Sequence, residues 1–177
     1  IYQIERFSKK YKVKNFKKIK FSNLNRSELR KIRLELLSKI NSIPISLILA
    51  QSIIESGWGV SRFAQEGNAL FGQWTWKNDD GIKPKGNLDA NFSVKNFDSL
   101  LDSVNSYILN LNTHKAYKEL RNFRTSQYNI GKKINGNDMA NFLDKYAEIG
   151  YKYVTKVKNM IEKNQLSKYE NSILTTY

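Results

Sequence analysis

The 177-residue sequence predicts a mostly helical α+β fold, a helical domain with one small β-hairpin inserted after its second long helix. Three observations predict it. Apolar residues recur at helical spacing in several separate segments. Six of the nine glycines (57, 59, 67, 72, 81, 86) and all three tryptophans (58, 74, 76) fall within residues 57–86. Around that cluster, LFGQWTW and NFSVKNF alternate as short strands on either side of a turn-rich stretch, KNDDGIKPKGNLDA.

The elements follow in order. Residues 9–21 (KKYKVKNFKKIKF) place a lysine beside nearly every apolar residue, which reads as a solvated arm or edge strand, or as an arm that holds an anionic polymer. Ser27 is expected to open a helix with Leu29, Ile32, Leu36, Leu37 and Ile40 inward. Pro44 suits the first turn of the next helix, where its missing N–H costs nothing. That helix, IPISLILAQSIIES, is apolar on most faces and is therefore expected to be buried. Its polar residues Gln51, Ser52 and Glu55 share one face near its end. After the hairpin, Asp98-Ser99 can cap a helix with Leu101, Val104, Ile108 and Leu111 inward. NTHKAYKELRNF reads as a short helix, with His114 in a structural part, capping or bonding the backbone. Asp138 to Ile149 is expected to be helical, with Met139, Phe142, Leu143 and Tyr146 inward and Gly150 as its stop. A last helix buries Tyr153, Val154, Val157 and Ile161. The sum is the layout of lysozyme-like folds.

Composition narrows the chemistry. There is no cysteine and one histidine, which removes disulfides, thiol nucleophiles, thiolate zinc sites and histidine-rich metal sites. The net charge is +14, and residues 1–40 carry 13 Lys/Arg against 3 Asp/Glu. No apolar run has the ~20 residues that crossing a bilayer requires. The first residue is Ile1, so the sequence is expected to be a processed or trimmed product whose export signal, if any, lay upstream.

Glu55 is the chief candidate for chemistry. Burial in an apolar helix and the negative end of the helix dipole both favour its protonated form. Trp58, Phe71 and Trp74 are expected neighbours that keep water away. A carboxylic acid kept protonated suits glycosidic cleavage, which needs a proton for the leaving oxygen. The plain alternative is a buried glutamate bonded to Gln51, Ser52 or the backbone.

The run AQSIIESGWGVSRFAQEGNALFGQW resembles the signature of the N-acetylglucosaminidase family of bacterial cell-wall hydrolases, glycoside hydrolase family seventy-three. YILNLNTHKAYKELR and KYAEIGYKYV resemble phrases of its Bax-like branch, found in Gram-negative bacteria. The likeness runs from about Ile43 to Met160. It implies that Glu55 is the catalytic acid, with Ser56, Gly57, Trp58 and Gly59 forming the turn behind it. Asn68, Leu70, Phe71 and Gly72 match the family's Gly-Asn-x-Leu-Phe-Gly run, with Asn68 expected to stabilise that turn. Tyr146 falls where the family has a cleft-facing tyrosine. Tyr153 matches a second one, for which packing is expected. A second carboxylate would come from Asp79, Asp80 or Asp89, of which Asp89 is preferred; Glu66 is expected on the surface. The substrate's own N-acetyl group, supported by Tyr146, is the alternative. The expected catalytic set is thus Glu55, Asp89 and Tyr146, and the expected substrate-binding set is Gln51, Trp58, Asn68, Phe71, Trp74 and Tyr151.

Charge composition marks residues 1–21 as a basic arm, and the resemblance implies a catalytic domain (22–177) that cleaves the β-1,4 bond between N-acetylglucosamine and N-acetylmuramic acid. No metal or cofactor is implied. The expected partner is the glycan strand of peptidoglycan, and the expected form is a monomer in the periplasm or cell envelope. A lytic transglycosylase or muramidase shares the Glu-Ser step but continues with a Gly-Leu-Met-Gln type run, where this chain has GNALFGQW. A non-catalytic glycan-binding module is the rival of a different class. The basic stretch, with Tyr11, Phe16 and Phe21 interleaved, matches no nucleic-acid motif, so no specific nucleic acid is expected.

Overall fold

The computed structural model describes residues 2–13, 20–76, 81–85 and 91–172. Its fold is α+β and mostly α, as the periodicity predicts, and the chain gathers into two units. Ile1–Ser42 with Leu109–Ile134 form the first; Ile43–Ile108 with Asn135–Tyr177 form the second.

In the first unit, helix α1 (Tyr2–Lys10) packs on α2 (Arg26–Lys39). The described part of the expected arm over 9–21 is thus helix end and turn, with Val13 buried beside Ile32 and Leu36. Helix α2 starts one residue earlier than Ser27. Asn25 accepts from the Glu28 N–H at 3.0 Å and Glu28 accepts from the Asn25 N–H at 2.9 Å, a reciprocal cap. Leu37 is exposed, not inward: it lies 100° round from Leu36, outside the narrow stripe that Ile32, Leu36 and Lys39 bury. Helix α6 (Lys118–Asn129) contributes Arg124, which has no exposed surface. Its guanidinium donates to the carbonyls of Ser38 (2.8 Å), Asn41 (3.2 Å) and Ser42 (3.1 Å), and to Asn112 Oδ1 (2.7 Å). A cation therefore closes the C-terminal end of α2, where carbonyls lack partners. Asn112 adds a bond to the Asn41 carbonyl at 3.0 Å. His114 caps a 3-10 turn, Lys115–Tyr117, by accepting from the Ala116 N–H at 3.2 Å.

In the second unit, α3 (Ile45–Ser56) buries Ser46, Leu47, Ala50, Gln51 and Ser56. Pro44 sits one step before its first turn, as the N-cap. The Glu170 carboxylate accepts from the N–H groups of Ile45 (3.0 Å) and Ser46 (3.3 Å) and from the Ser46 hydroxyl, a negative charge at the positive end of the helix. After α4 (Arg62–Gly67) comes a sheet of β1 (Trp74–Thr75), β2 (Gly81–Ile82) and β3 (Ser93–Lys95). Its order is β1-β3-β2, antiparallel, with Trp74 opposite Val94 and Ile82 opposite Val94 on the other edge. The expected hairpin pairs β1 with β3, and β2 is an addition. Two residues are too few to show alternation, and Gly81 reads as a turn. Its lack of a side chain is what lets it pair: a Cβ there would meet Val94 O at 2.7 Å.

Helix α5 (Leu100–Thr113) is capped by Ser99, whose hydroxyl accepts from the Asp102 N–H at 3.2 Å. Leu101 is exposed; the buried line is Ser103, Tyr107 and Leu111, four residues apart. The expected helix over Asp138–Ile149 is only α7 (Gly136–Ala140), followed by turns. Phe142, Leu143 and Tyr146 each donate to the carbonyl three residues back, so an apolar spacing of three to four is met without a continuous helix. Helix α8 (Tyr151–Lys163) buries Tyr153, Val154, Val157 and Ile161 as expected. Among the described residues no helix is long and apolar enough to cross a membrane.

Candidate active site

The site is built on the last turn of α3. Gly57 ends the helix in the left-handed conformation, and Trp58 follows it there at φ 63°. A bulky side chain in that region costs on the order of 1 kcal/mol. The Ser56 hydroxyl ties the turn, donating to the Ser52 carbonyl at 2.6 Å and accepting from the Gly59 N–H at 2.8 Å. This turn leaves Glu55 half-buried at the helix end and turns the Trp58 indole to solvent.

Glu55 ends a directional chain of hydrogen bonds. The Tyr107 hydroxyl donates to Gln51 Oε1 at 2.5 Å. Gln51 Nε2 donates to the Tyr153 oxygen at 3.0 Å, and the Tyr153 hydroxyl donates to Glu55 Oε1 at 2.5 Å. The aromatic rings pack round this chain. Tyr146 stacks on Tyr153 (centroids 5.2 Å apart, planes 11° apart) and meets Tyr107 edge-on at 6.5 Å. Phe71 stacks on the far ring, Tyr107, at 4.0 Å.

Burial raises the Glu55 pKa above the ordinary carboxylate range, against the Tyr153 hydrogen bond and the Lys156 charge, which lower it. Burial first, and then the Glu55 charge, push the Tyr153 phenol well up, so it stays a donor.

The expected site residues divide by depth. Gln51 has no exposed surface and its amide is spent on two tyrosines, so it stands behind Glu55 rather than at a substrate surface. Phe71 is likewise buried, so its part is packing rather than contact. Asn68 takes the left-handed conformation at the end of α4, and its amide donates to the Phe97 carbonyl at 2.9 Å, the turn-holding part the sequence suggests. Trp58, Trp74 and Tyr151 are exposed. Trp58 and Asn68 line a cavity of about 390 Å³. Trp74 stacks on Phe92 at 4.6 Å, with Trp76 edge-on to it. Tyr146 is half-buried. Glu66 pairs with Arg62 at 3.0 Å on the surface. Asp79, Asp80 and Asp89 lie outside the described residues.

Tyr153, for which the sequence suggests packing, also donates to Glu55, and Tyr107, to which the sequence assigns no part, donates to Gln51. The i, i+4 pairing of Gln51 with Glu55 is the available signal: a buried amide beside a half-buried acid needs partners, and here tyrosine hydroxyls supply them.

The family described as mannosyl-glycoprotein endo-beta-N-acetylglucosaminidase matches residues 32–166. Protein bax of Escherichia coli (strain K12) is 31% identical over 166 residues, which is 92% of this chain and 55% of that protein. The chain thus spans about half the length of the curated relative it matches. The matched span takes in the whole turn behind Glu55, its tyrosine partners and the small sheet, and on that match the chain belongs to the glucosaminidase family.

Proposed function

We propose that the chain is a peptidoglycan hydrolase, an endo-β-N-acetylglucosaminidase that cuts the β-1,4 bond between N-acetylglucosamine and N-acetylmuramic acid. Its place of action is then the periplasm or cell envelope. The observation that carries this reading is the Glu55 carboxyl, half-buried, raised in pKa, and held, among the described residues, through one oxygen only. Because Gln51 donates to the Tyr153 oxygen, the phenolic hydrogen points to Glu55 Oε1. A proton on Glu55 therefore sits on Oε2. As the glycosidic C–O bond breaks, that proton passes to the leaving oxygen and negative charge appears on Glu55. The Tyr153 hydroxyl and Lys156 stabilise that charge.

Water then adds to the anomeric carbon and gives its proton to a base. We assign that base to Asp89, ahead of Asp79 and Asp80. The rival route uses the substrate's N-acetyl group, with Tyr146 supporting the charge. The exposed rings of Trp58, Trp74 and Tyr151 suit stacking on sugar faces.

The test is digestion of purified peptidoglycan by wild type and Glu55→Gln, with borohydride reduction and mass spectrometry of the fragments. Reduced N-acetylglucosamine ends from wild type only are expected. Anhydromuramic ends would replace this reading with a lytic transglycosylase. Binding without release of ends by either protein would leave a glycan-binding module.

A further inference from the structure

We propose that the first unit carries a second binding site, a cationic cavity that takes the carboxylates of the peptide stems on the wall polymer. The proposal rests on the peptidoglycan reading for the identity of its ligand, and on the following geometry for its existence.

The cavity has a volume of about 480 Å³, and among the described residues Lys12, Lys39, Lys115, Lys118 and Arg121 line it with Glu35 as the one acidic residue. These side chains come from the turn after α1, the end of α2, the 3-10 turn and α6. Lys39 and Arg121 are buried, each with 7% of its surface exposed. Glu35 is committed to the Lys39 ammonium at 2.8 Å, which also donates to the Lys12 carbonyl at 2.7 Å. Arg121 spends one amino nitrogen on the carbonyls of Leu111 (3.0 Å) and His114 (2.9 Å). The ammonium groups of Lys12, Lys115 and Lys118 make no hydrogen bond or ion pair among the described residues. Among the described residues five cations face one anion round a single hollow; the cations repel one another, and an anionic ligand relieves that repulsion.

The charge of the whole unit points the same way. It holds 19 Lys/Arg against 4 Asp/Glu, while the second unit, with Glu55, holds 11 against 12. The donors are separate ammonium point charges round a wide hollow, with the one guanidinium partly committed, and they suit anions spaced along a strand better than one small ion. On the peptidoglycan reading those anions are the carboxylates of the stems. The volume likewise exceeds what one small ion fills.

The test compares wild type with the double variant Lys115→Glu/Lys118→Glu, checked for folding by thermal unfolding. The probes are glycan strands bearing their peptide stems, short N-acetylglucosamine oligomers, which carry no carboxylate, and inorganic polyphosphate. On stem-bearing strands the double variant is expected to raise KM about tenfold, with kcat and all kinetics on the oligomers unchanged. Equal KM values for the two proteins on stem-bearing strands would overturn the proposal. If wild type cleaves neither substrate, the hydrolase reading falls but this site is still read by co-sedimentation. Loss of binding to stem-bearing strands in the double variant then supports it, and equal binding overturns it. Polyphosphate bound more tightly than stem-bearing strands would overturn the carboxylate assignment in favour of a phosphate polymer.

Discussion

At the scale of single residues, Tyr153 and Glu55 share one short bond that works in two protonation states. Removing the hydroxyl in Tyr153→Phe takes away an interaction that lowers the Glu55 pKa. The alkaline limb of the pH–rate profile is therefore expected to move up. The carboxylate formed as the proton leaves also loses its donor, so kcat is expected to fall on the order of tenfold to a hundredfold, from the ~1.5–3 kcal/mol of a hydrogen bond to a charged group. A profile that stays in place would remove Tyr153 from the site. Glu55 itself weakens the fold at high pH. Its folded pKa lies above the ordinary 4.5, so the native state holds the proton more tightly than the unfolded chain. Stability is then full below pH 4.5 and declines as pH rises through the folded pKa. Glu55→Gln is accordingly expected to melt at a higher temperature than wild type above that range, and the two to converge below it. Differential scanning calorimetry across pH reads this directly.

At the scale of elements, helix ends are where this chain spends its polar residues. α3 begins on the Glu170 carboxylate and ends on a glycine turn, so the acid is set by how the helix stops. α2 ends on Arg124, whose pKa is lowered to about 10 because burial disfavours the cation, with the Arg121 charge adding to this and the Tyr128 charge opposing it. Arg124→Leu removes the donor that the carbonyls of Ser38 and Ser42 share at the end of α2. It is expected to cost about 3 kcal/mol, read as a lower denaturant midpoint. The phrase NLNTH belongs to the same device, since Asn112 bonds both Arg124 and the Asn41 carbonyl.

At the scale of the whole molecule, charge and chemistry are assigned to different units. The second unit is nearly neutral and contains Glu55, while the first holds the surplus that makes the net charge +14. Attachment to an anionic polymer is therefore expected to weaken as salt rises, whereas turnover of a short uncharged N-acetylglucosamine oligomer is expected to change little. Measuring KM for both substrates from 20 to 300 mM salt, a range of roughly 20 to 6 Å in Debye length, separates the two terms. A KM for stem-bearing strands that ignored salt would show that the basic unit plays no part in capture.

The sequence by itself determined the helical frame, the place of Glu55 at a helix end and the pairing of LFGQWTW with NFSVKNF. These are local matters: periodicity, a glycine stop and alternation are written within a dozen residues. Tertiary structure decided the rest. Tyr107, Gln51 and Tyr153 come from three separate helices, and no local pattern says that a tyrosine taken for packing will point its hydroxyl at a carboxyl. The turns over 141–149 reproduce a helical spacing with bonds of three residues, so periodicity alone reads them as helix. The basic unit was visible only as an N-terminal run, because residues 109–134 return to it from far along the chain. Contacts across long stretches of sequence bring these groups together, and a contact that depends on two distant segments leaves no period in either.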